Sequence, residues 1–462
     1  MVSLDNAPVP GLLAANASPR GRADLRIQIL NDLPCLETDW RELYEEIENP
    51  SLCASFSWVS AWWHAFGKTC PNARPFVVVL RGEQDRAAAI FPFFEEDPSN
   101  PLEIRRLRLM GDLGHDAAFG MTEEPTHLVR PGMEASSLDT LALALKPEIE
   151  AGRWDLLAFR IFDDAPSCPL AAAFAGLLPK AWLKTDARTG CDFATLPDTW
   201  TDYRKLLTKS MRDNLGYYPR LLTRGGHQWQ VRYIRDAADM PAAVKRLTQL
   251  HQARAESHRG LRHCNHIHGP TQEAFLADLL SALAPRDRGF IAELIVDGEI
   301  VAAQAFVEEG AELMVYYSGY REAWYKYSPI FVIDTVVFKD AMERGVRRLN
   351  FLRNTGQWKT RWGAVSGPCL RRASLVPRRP ACAARYGIYF LRSAVRRHLL
   401  ERLPVYRHRF LAKTKLVASR VSQERDRLVQ LLFPLLPVLG RIGLRATPTL
   451  HWAVTQLPVH HR

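Results

Sequence analysis

The dipeptide Asp297-Gly298 sits between two apolar runs, GFIAELIV (289–296) and EIVAAQAFV (299–307). Both central positions of a two-residue hairpin need φ > 0, which glycine adopts freely and aspartate tolerates, so the stretch predicts a tight antiparallel hairpin. ELMVYYSGY (312–320) is then a third strand of the same meander, rich in tyrosine and valine. REAWYKYS reads as a polar and aromatic loop. Pro329 suits the first turn of a helix, where its missing N–H would have no partner anyway. IFVIDTVVFKDAMERG (330–345) carries Ile330, Ile333, Val337 and Ala341 at helical spacing and stops at Gly345; RRLNFLR (347–353) is the next strand. Strand, loop, helix and strand make a parallel crossover, and the loop at 321–328 faces a helix N-terminus, a ready anion site.

Several motifs in this region resemble one family. Tyr320, then Tyr327-Ser328-Pro329, Gly345 and FLRNTGQWKTRWG (351–363) are similar to the pattern of GNAT-like acetyltransferases of the BioF2/CelD type, a group associated with cellulose and exopolysaccharide synthesis and related in fold to the Fem aminoacyltransferases. Ile330 stands where that group usually has glycine, and residues 354–358 replace a Gly-acidic-Tyr run before Lys359. SLCASFSWVSAWWHAFG (51–67) fits a second pattern of the group near its N-terminus. The resemblance spans about residues 25–365.

The first part of the chain repeats the element order. RIQIL (26–30) is a strand; CLETDWRELYEEIEN and SFSWVSAWWHAFG are helices, the first with Leu36, Trp40, Leu43 and Ile47 on one face. PFVVVLRG and AAAIFPFFEE flank a turn at 82–85, EIRRLRLMG is a third strand, and an irregular stretch leads to a helix at 136–150, a strand at 154–162 and a helix at 168–178. AWLKTDARTGCDFATL is a further strand candidate. Residues 198–226 read as a basic helical segment interrupted near Gly216, with a solvated face and a substrate or CoA contact as alternative readings. QWQVRYIRD (228–236) alternates as a strand, and helices follow at 239–257 and 271–284. The expected fold class is mixed α/β (α+β): tandem GNAT lobes with mixed sheets, over 25–197 and 227–370, joined by the linker helix 198–226. A disordered leader (1–24) and a basic amphipathic helical tail (371–462) flank them.

The resemblance implies direct attack of an amine on the thioester of an acyl-CoA. That chemistry needs a backbone donor at the thioester oxygen, amides for the pyrophosphate, a base for the amine and an acid for the thiolate. Tyr316, Tyr317 and Ser318 fall where the thioester would lie, and Trp324, Lys326, Tyr327 and Ser328 where the pyrophosphate would lie. The bland alternative for both is a strand-to-helix loop with packed aromatics. Glu293, the one acid in an apolar strand, is the candidate base if buried, with Tyr317 and His251 as further catalytic candidates. Asp116 matches an Asp of the group, and His251 and Arg254, one helical turn apart, match a His/Arg pair. With Arg353, Lys359 and Trp362 these are the expected acceptor contacts, the cations for phosphate and the indole for stacking on a sugar. HCNHIH (263–268) fits no closed four-ligand spacing, so no metal is expected.

Composition narrows the alternatives. Of 462 residues 47% are hydrophobic and 24% charged, ordinary globular values. The eight cysteines include no CxxC pair, which fits a reducing compartment rather than a disulfide framework. No 18-residue apolar run predicts a membrane span, and no signal-peptide pattern opens the chain. The net charge of +11 is local: residues 371–462 hold 19 Lys and Arg against 3 Asp and Glu, the rest 42 against 47. That distribution argues against nucleic acid as the partner of the body and for a membrane-surface or synthase contact through the tail. The expected function is a cytoplasmic acyl-CoA-dependent N-acyltransferase acting on an amino sugar or polysaccharide precursor, with a peripheral place at the inner face of the membrane as an option. The alternatives are a Fem-like transferase using aminoacyl-tRNA, or a non-catalytic GNAT scaffold of a polysaccharide synthase.

Overall fold

The computed structural model describes residues 25–391, apart from 71, 99, 113–120, 122, 124–125, 164–168, 179–180, 258–264, 268, 354–355 and 390. The expected leader, nearly all of the two tail helices, and Asp116 lie outside the described residues. The body ends at Ile388.

Thirteen strands form one sheet. The first half contributes β1 (Arg26–Leu30), β2 (Ala73–Arg81), β3 (Ala87–Glu96), β4 (Arg106–Leu109), the short β5 (Leu128–Val129), β6 (Leu156–Asp163) and β7 (Ala181–Thr195). Its helices are α1 (Glu37–Glu46), α2 (Phe56–Ala65), α3 (Glu134–Ala151) and α4 (Pro169–Leu177). The second half contributes α5 (Trp200–Leu206), α6 (Lys209–Arg224), β8 (Trp229–Ile234), α7 (Met240–Glu256), α8 (Pro270–Leu283), β9 (Gly289–Val296), β10 (Glu299–Glu309), β11 (Glu312–Tyr320), α9 (Pro329–Glu343), β12 (Arg348–Arg353), α10 (Gln357–Arg361) and β13 (Val365–Pro377).

The order across the sheet, β1-β2-β3-β4-β6-β13-β7-β12-β11-β10-β9-β8, reads the same from either edge. In each half the fourth strand of the meander runs parallel to the strand after the crossover, β4 with β6 and β11 with β12. The final strands are exchanged: β7 of the first half pairs with β12, and β13 of the second pairs with β6. The expected boundary at 370 therefore falls inside a strand. Ala373, Leu375 and Val376 are buried there, so the chain stays in the sheet to Pro377.

Strand alternation sorts side chains into three cores. Val77, Val79, Ile90 and Phe94 face α1 and α2, and Ile291, Ala303, Ala305 and Met314 face α7 and α8; the two sets join into one core beneath both halves. Trp58 of α2 meets Phe275 of α8 edge-on at 5.8 Å and stacks along Trp62, so the tryptophans of the 51–67 motif join the halves. On the opposite face Phe76, Val78 and Phe91 pack under α3 and α4, and Phe290, Ala292 and Phe306 under α5, α6 and α9.

The Asp297-Gly298 turn forms with φ of 50° and 82°, as the dipeptide requires. The 198–226 segment breaks elsewhere than expected. Leu207 is extended and the Thr208 hydroxyl accepts from the Met211 amide, capping a new helix that continues through Gly216.

Candidate active site

The site begins where β11 and β12 part. Their parallel ladder pairs only Glu312–Met314 with Arg348–Asn350, although β11 runs on to Tyr320. The cause lies in β12. Asn350 Nδ2 donates to Glu312 Oε1 at 2.8 Å, while its Oδ1 accepts the amide of Leu352 at 2.8 Å. That short loop turns Leu352 to φ 59°, costly for a branched side chain. The buried Lys359 ammonium holds the turn by donating to the carbonyls of Leu352 and Arg353 at 3.0 and 2.8 Å. Lys359, expected on the acceptor, is thus spent on backbone and positions Arg353 instead.

β11 is shaped as well. Its register with β10 shifts between Gln304 and Phe306, a bulge in β11 where Tyr316 and Tyr317 together oppose Ala305. Gly319 then lies against α7: a Cβ there would come within 2.2 Å of the His251 amide nitrogen. The gap where β11 and β12 part is bridged from the first half. Glu123, from the irregular first-half stretch, accepts from Tyr317 Oη at 3.3 Å, from Arg353 Nε at 3.2 Å and from the Arg353 amide at 3.3 Å. Burial, reinforced by Glu123, pushes the Tyr317 hydroxyl well above its ordinary pKa and keeps it a proton donor. Arg254 Nη1 donates to Ser318 Oγ at 2.9 Å and its guanidinium lies over the Tyr320 ring. Behind them is Asp334 of α9, 3% exposed, with Oδ1 unpartnered among the described residues. Burial lifts its carboxyl to about 8, against the opposing effects of Arg254 and Gln304.

Other sequence candidates fall into supporting places. Glu293 is fully buried, but Arg232 of β8 takes Oε2 at 2.6 Å and Arg246 of α7 takes Oε1 at 2.7 Å. With both oxygens in ion pairs it has none to offer an amine, and the general-base role is not carried forward. His251 Nδ1 lies 2.7 Å from the Ser318 carbonyl, so that nitrogen bears the proton; Nε2 accepts the His266 amide at 3.1 Å. Neither nitrogen remains to take a proton, and His251 ties α7 to β11. Trp362, expected to stack on a sugar, is 2% exposed and stacks on Phe331 at 5.0 Å. Tyr316 is buried in the shared core rather than lining the cleft.

The 321–328 segment is wound into a 3-10 turn over Glu322–Tyr327, not an open loop. Trp324 and Ser328 amides donate within it, to Arg321 and Tyr325 carbonyls. Aromatic packing sets the turn. Tyr327 is buried, its hydroxyl 3.0 Å from His227 Nε2, whose Nδ1 is 2.7 Å from Asp297 in the hairpin turn; Trp324 packs on His227 and Tyr327. Lys326 is exposed over the Tyr327 ring. Ser328 adopts φ 47° immediately before α9, whose first-turn amides precede its first internal acceptor. Among the described residues no group of His, Cys, Asp and Glu could hold a metal; His263, Cys264 and His268 lie outside them.

The sequence reading missed Glu123, His227 and Asp334. Asp334 alone had a local mark, being the one acid inside the apolar first half of its helix.

Residues 209–360 match the model of the Acetyltransferase (GNAT) domain family. The fold of the body is similar to the crystal structure of FemX, with TM-score 0.51 and 10% identity over 73% of this chain and 95% of that one. Similar structures also include a tandem GNAT protein from the clavulanic acid biosynthesis pathway (TM-score 0.42, 12% identity, 76% and 98% covered) and L-PGS from Bacillus licheniformis (TM-score 0.41, 13% identity, 78% and 95% covered). No curated protein sequence matches the chain.

Proposed function

We propose that the cleft beside the outer half of β11 is an N-acyl transfer site using acyl-CoA. The observation that carries this reading is the parting of β11 from β12 after Met314, next to the N-terminus of α9. A thioester lying along Val315–Ser318 would meet strand edge that β12 leaves unpaired, and its diphosphate would meet the α9 amides and Ser328. The amine attacks the thioester carbon, the C–S bond breaks, and the proton that the amine nitrogen gives up ends on the leaving thiolate. Tyr317, whose hydroxyl donates to Glu123, is the candidate to relay that proton through this pair. Arg254 and Arg353 flank the cleft for an anionic acceptor. The motif resemblance to the BioF2/CelD group supports an amino sugar or polysaccharide precursor as that acceptor, and the tail's charge supports a membrane-surface or synthase contact.

A Fem-type transfer from aminoacyl-tRNA is the second reading. It is favoured by the likeness to FemX and by the cations of α5 and α6, where Lys205 and Lys209 are 71% and 85% exposed. Thermal shift separates the two. Acetyl-CoA at 100 times its Kd should add about 2.7 kcal/mol of stability. Stabilisation by charged tRNA but not by acetyl-CoA would transfer the assignment to the second reading. No response to either would leave a scaffold without transferase activity.

A further inference from the structure

A cavity of about 220 Å³ opens between the two halves at the far end of β10. It lies about 10–20 Å along β11 from the acyl-transfer site, three to six residues at about 3.4 Å each. Tyr44 of α1 lines it, 7% exposed, and its hydroxyl has no hydrogen-bond partner among the described residues. Arg288, just ahead of β9, pairs with Glu309 on the cavity wall. The opposite wall is the start of α2. Ser55 caps that helix by accepting the Trp58 amide, and the amides of Phe56 and Ser57 precede the helix's first internal acceptor.

A buried hydroxyl or guanidinium N–H without an acceptor costs about 1–3 kcal/mol. Here one such donor (the Tyr44 hydroxyl), a ten-residue helix's N-terminus and the guanidinium groups of Arg41, Arg286 and Arg288 border one space. Each arginine also has a carboxylate partner, Arg41 with Glu37, Arg286 with Glu45 and Arg288 with Glu309, so an anion here is held by hydrogen-bond donors rather than by excess charge. The donors come from three elements, which suits the oxygens of a tetrahedral anion better than a planar carboxylate. Ile47 and Pro50 supply an apolar side.

We propose that this cavity binds a small phosphate monoester, its phosphoryl group held by Tyr44, Arg288 and the first amides of α2, its organic part against Ile47 and Pro50. The site is independent of the acyl-transfer reading. The test is a thermal-shift and calorimetric titration of the full chain with inorganic phosphate and glycerol phosphate, against chloride at matched ionic strength. Both phosphates should bind saturably. Tyr44→Phe removes a hydroxyl that has no partner, so the ligand-free variant should be as stable as the wild type or more so, while its Kd for phosphate rises about tenfold. Arg288→Gln should weaken binding at least as much. A wild type that neither phosphate stabilises, or a Tyr44→Phe variant with unchanged phosphate Kd, overturns the proposal. Tighter binding of acetate than of phosphate overturns the choice of a tetrahedral anion.

Discussion

Burial lifts the Asp334 carboxyl from its ordinary 3.8 to about 8. Between those two values the folded chain keeps a proton that the unfolded chain has lost. Stability therefore falls as pH rises through that window and levels off above it. Asp334→Asn keeps the shape and removes the titration. Its melting temperature should gain several degrees on the wild type between about pH 5 and about pH 8; parallel pH curves would show that Asp334 does not titrate there. Glu293 was conspicuous in the sequence as the one acid in an apolar strand, and Asp334 carries a similar mark in its helix that went unread. Neither role was legible, because the deciding groups are distant. The partners of Glu293 lie 61 and 47 residues away, and Glu123 reaches Arg353 across 230 residues. Residue type at one position cannot distinguish a paired carboxylate from a desolvated one.

Elements were more legible where local chemistry decides them. The hairpin's strands follow from a two-residue turn and from alternation, and β9 and β11 fall on the stretches expected. The 3-10 turn at Glu322–Tyr327 was not legible, since it rests on His227 and Asp297 from other elements. Nor was the seating of α7 on β11, which depends on one missing methyl group. A Cβ at position 319 would meet His251 and Leu250 backbone atoms at 2.2 and 2.3 Å, and backbone cannot swing aside. Gly319→Ala should lower the urea midpoint by an amount equivalent to about 1–3 kcal/mol and weaken the His251–Ser318 bond. An unchanged midpoint would mean that α7 does not sit so close.

At the scale of the molecule the sequence pattern gives two tandem lobes, and one sheet joins them. β12 lacks a neighbour without β7, and β6 lacks one without β13. Exchange between segments so far apart leaves no local trace in composition or periodicity. A fragment spanning 198–377 should not fold alone, and adding 25–197 should restore strand content by circular dichroism. Independent, reversible melting of the isolated fragment would contradict the exchange. Among the described residues no helix is long and apolar enough to cross a membrane.

The exchange also sets a timetable for synthesis. β6 leaves the ribosome about 200 residues before its native neighbour β13. At ordinary elongation rates that is ~10–40 s during which a hydrophobic edge waits for its mate. Nascent chains stalled between the two strands are thus the form of this protein most exposed to mispairing, and the form a chaperone would have most reason to hold.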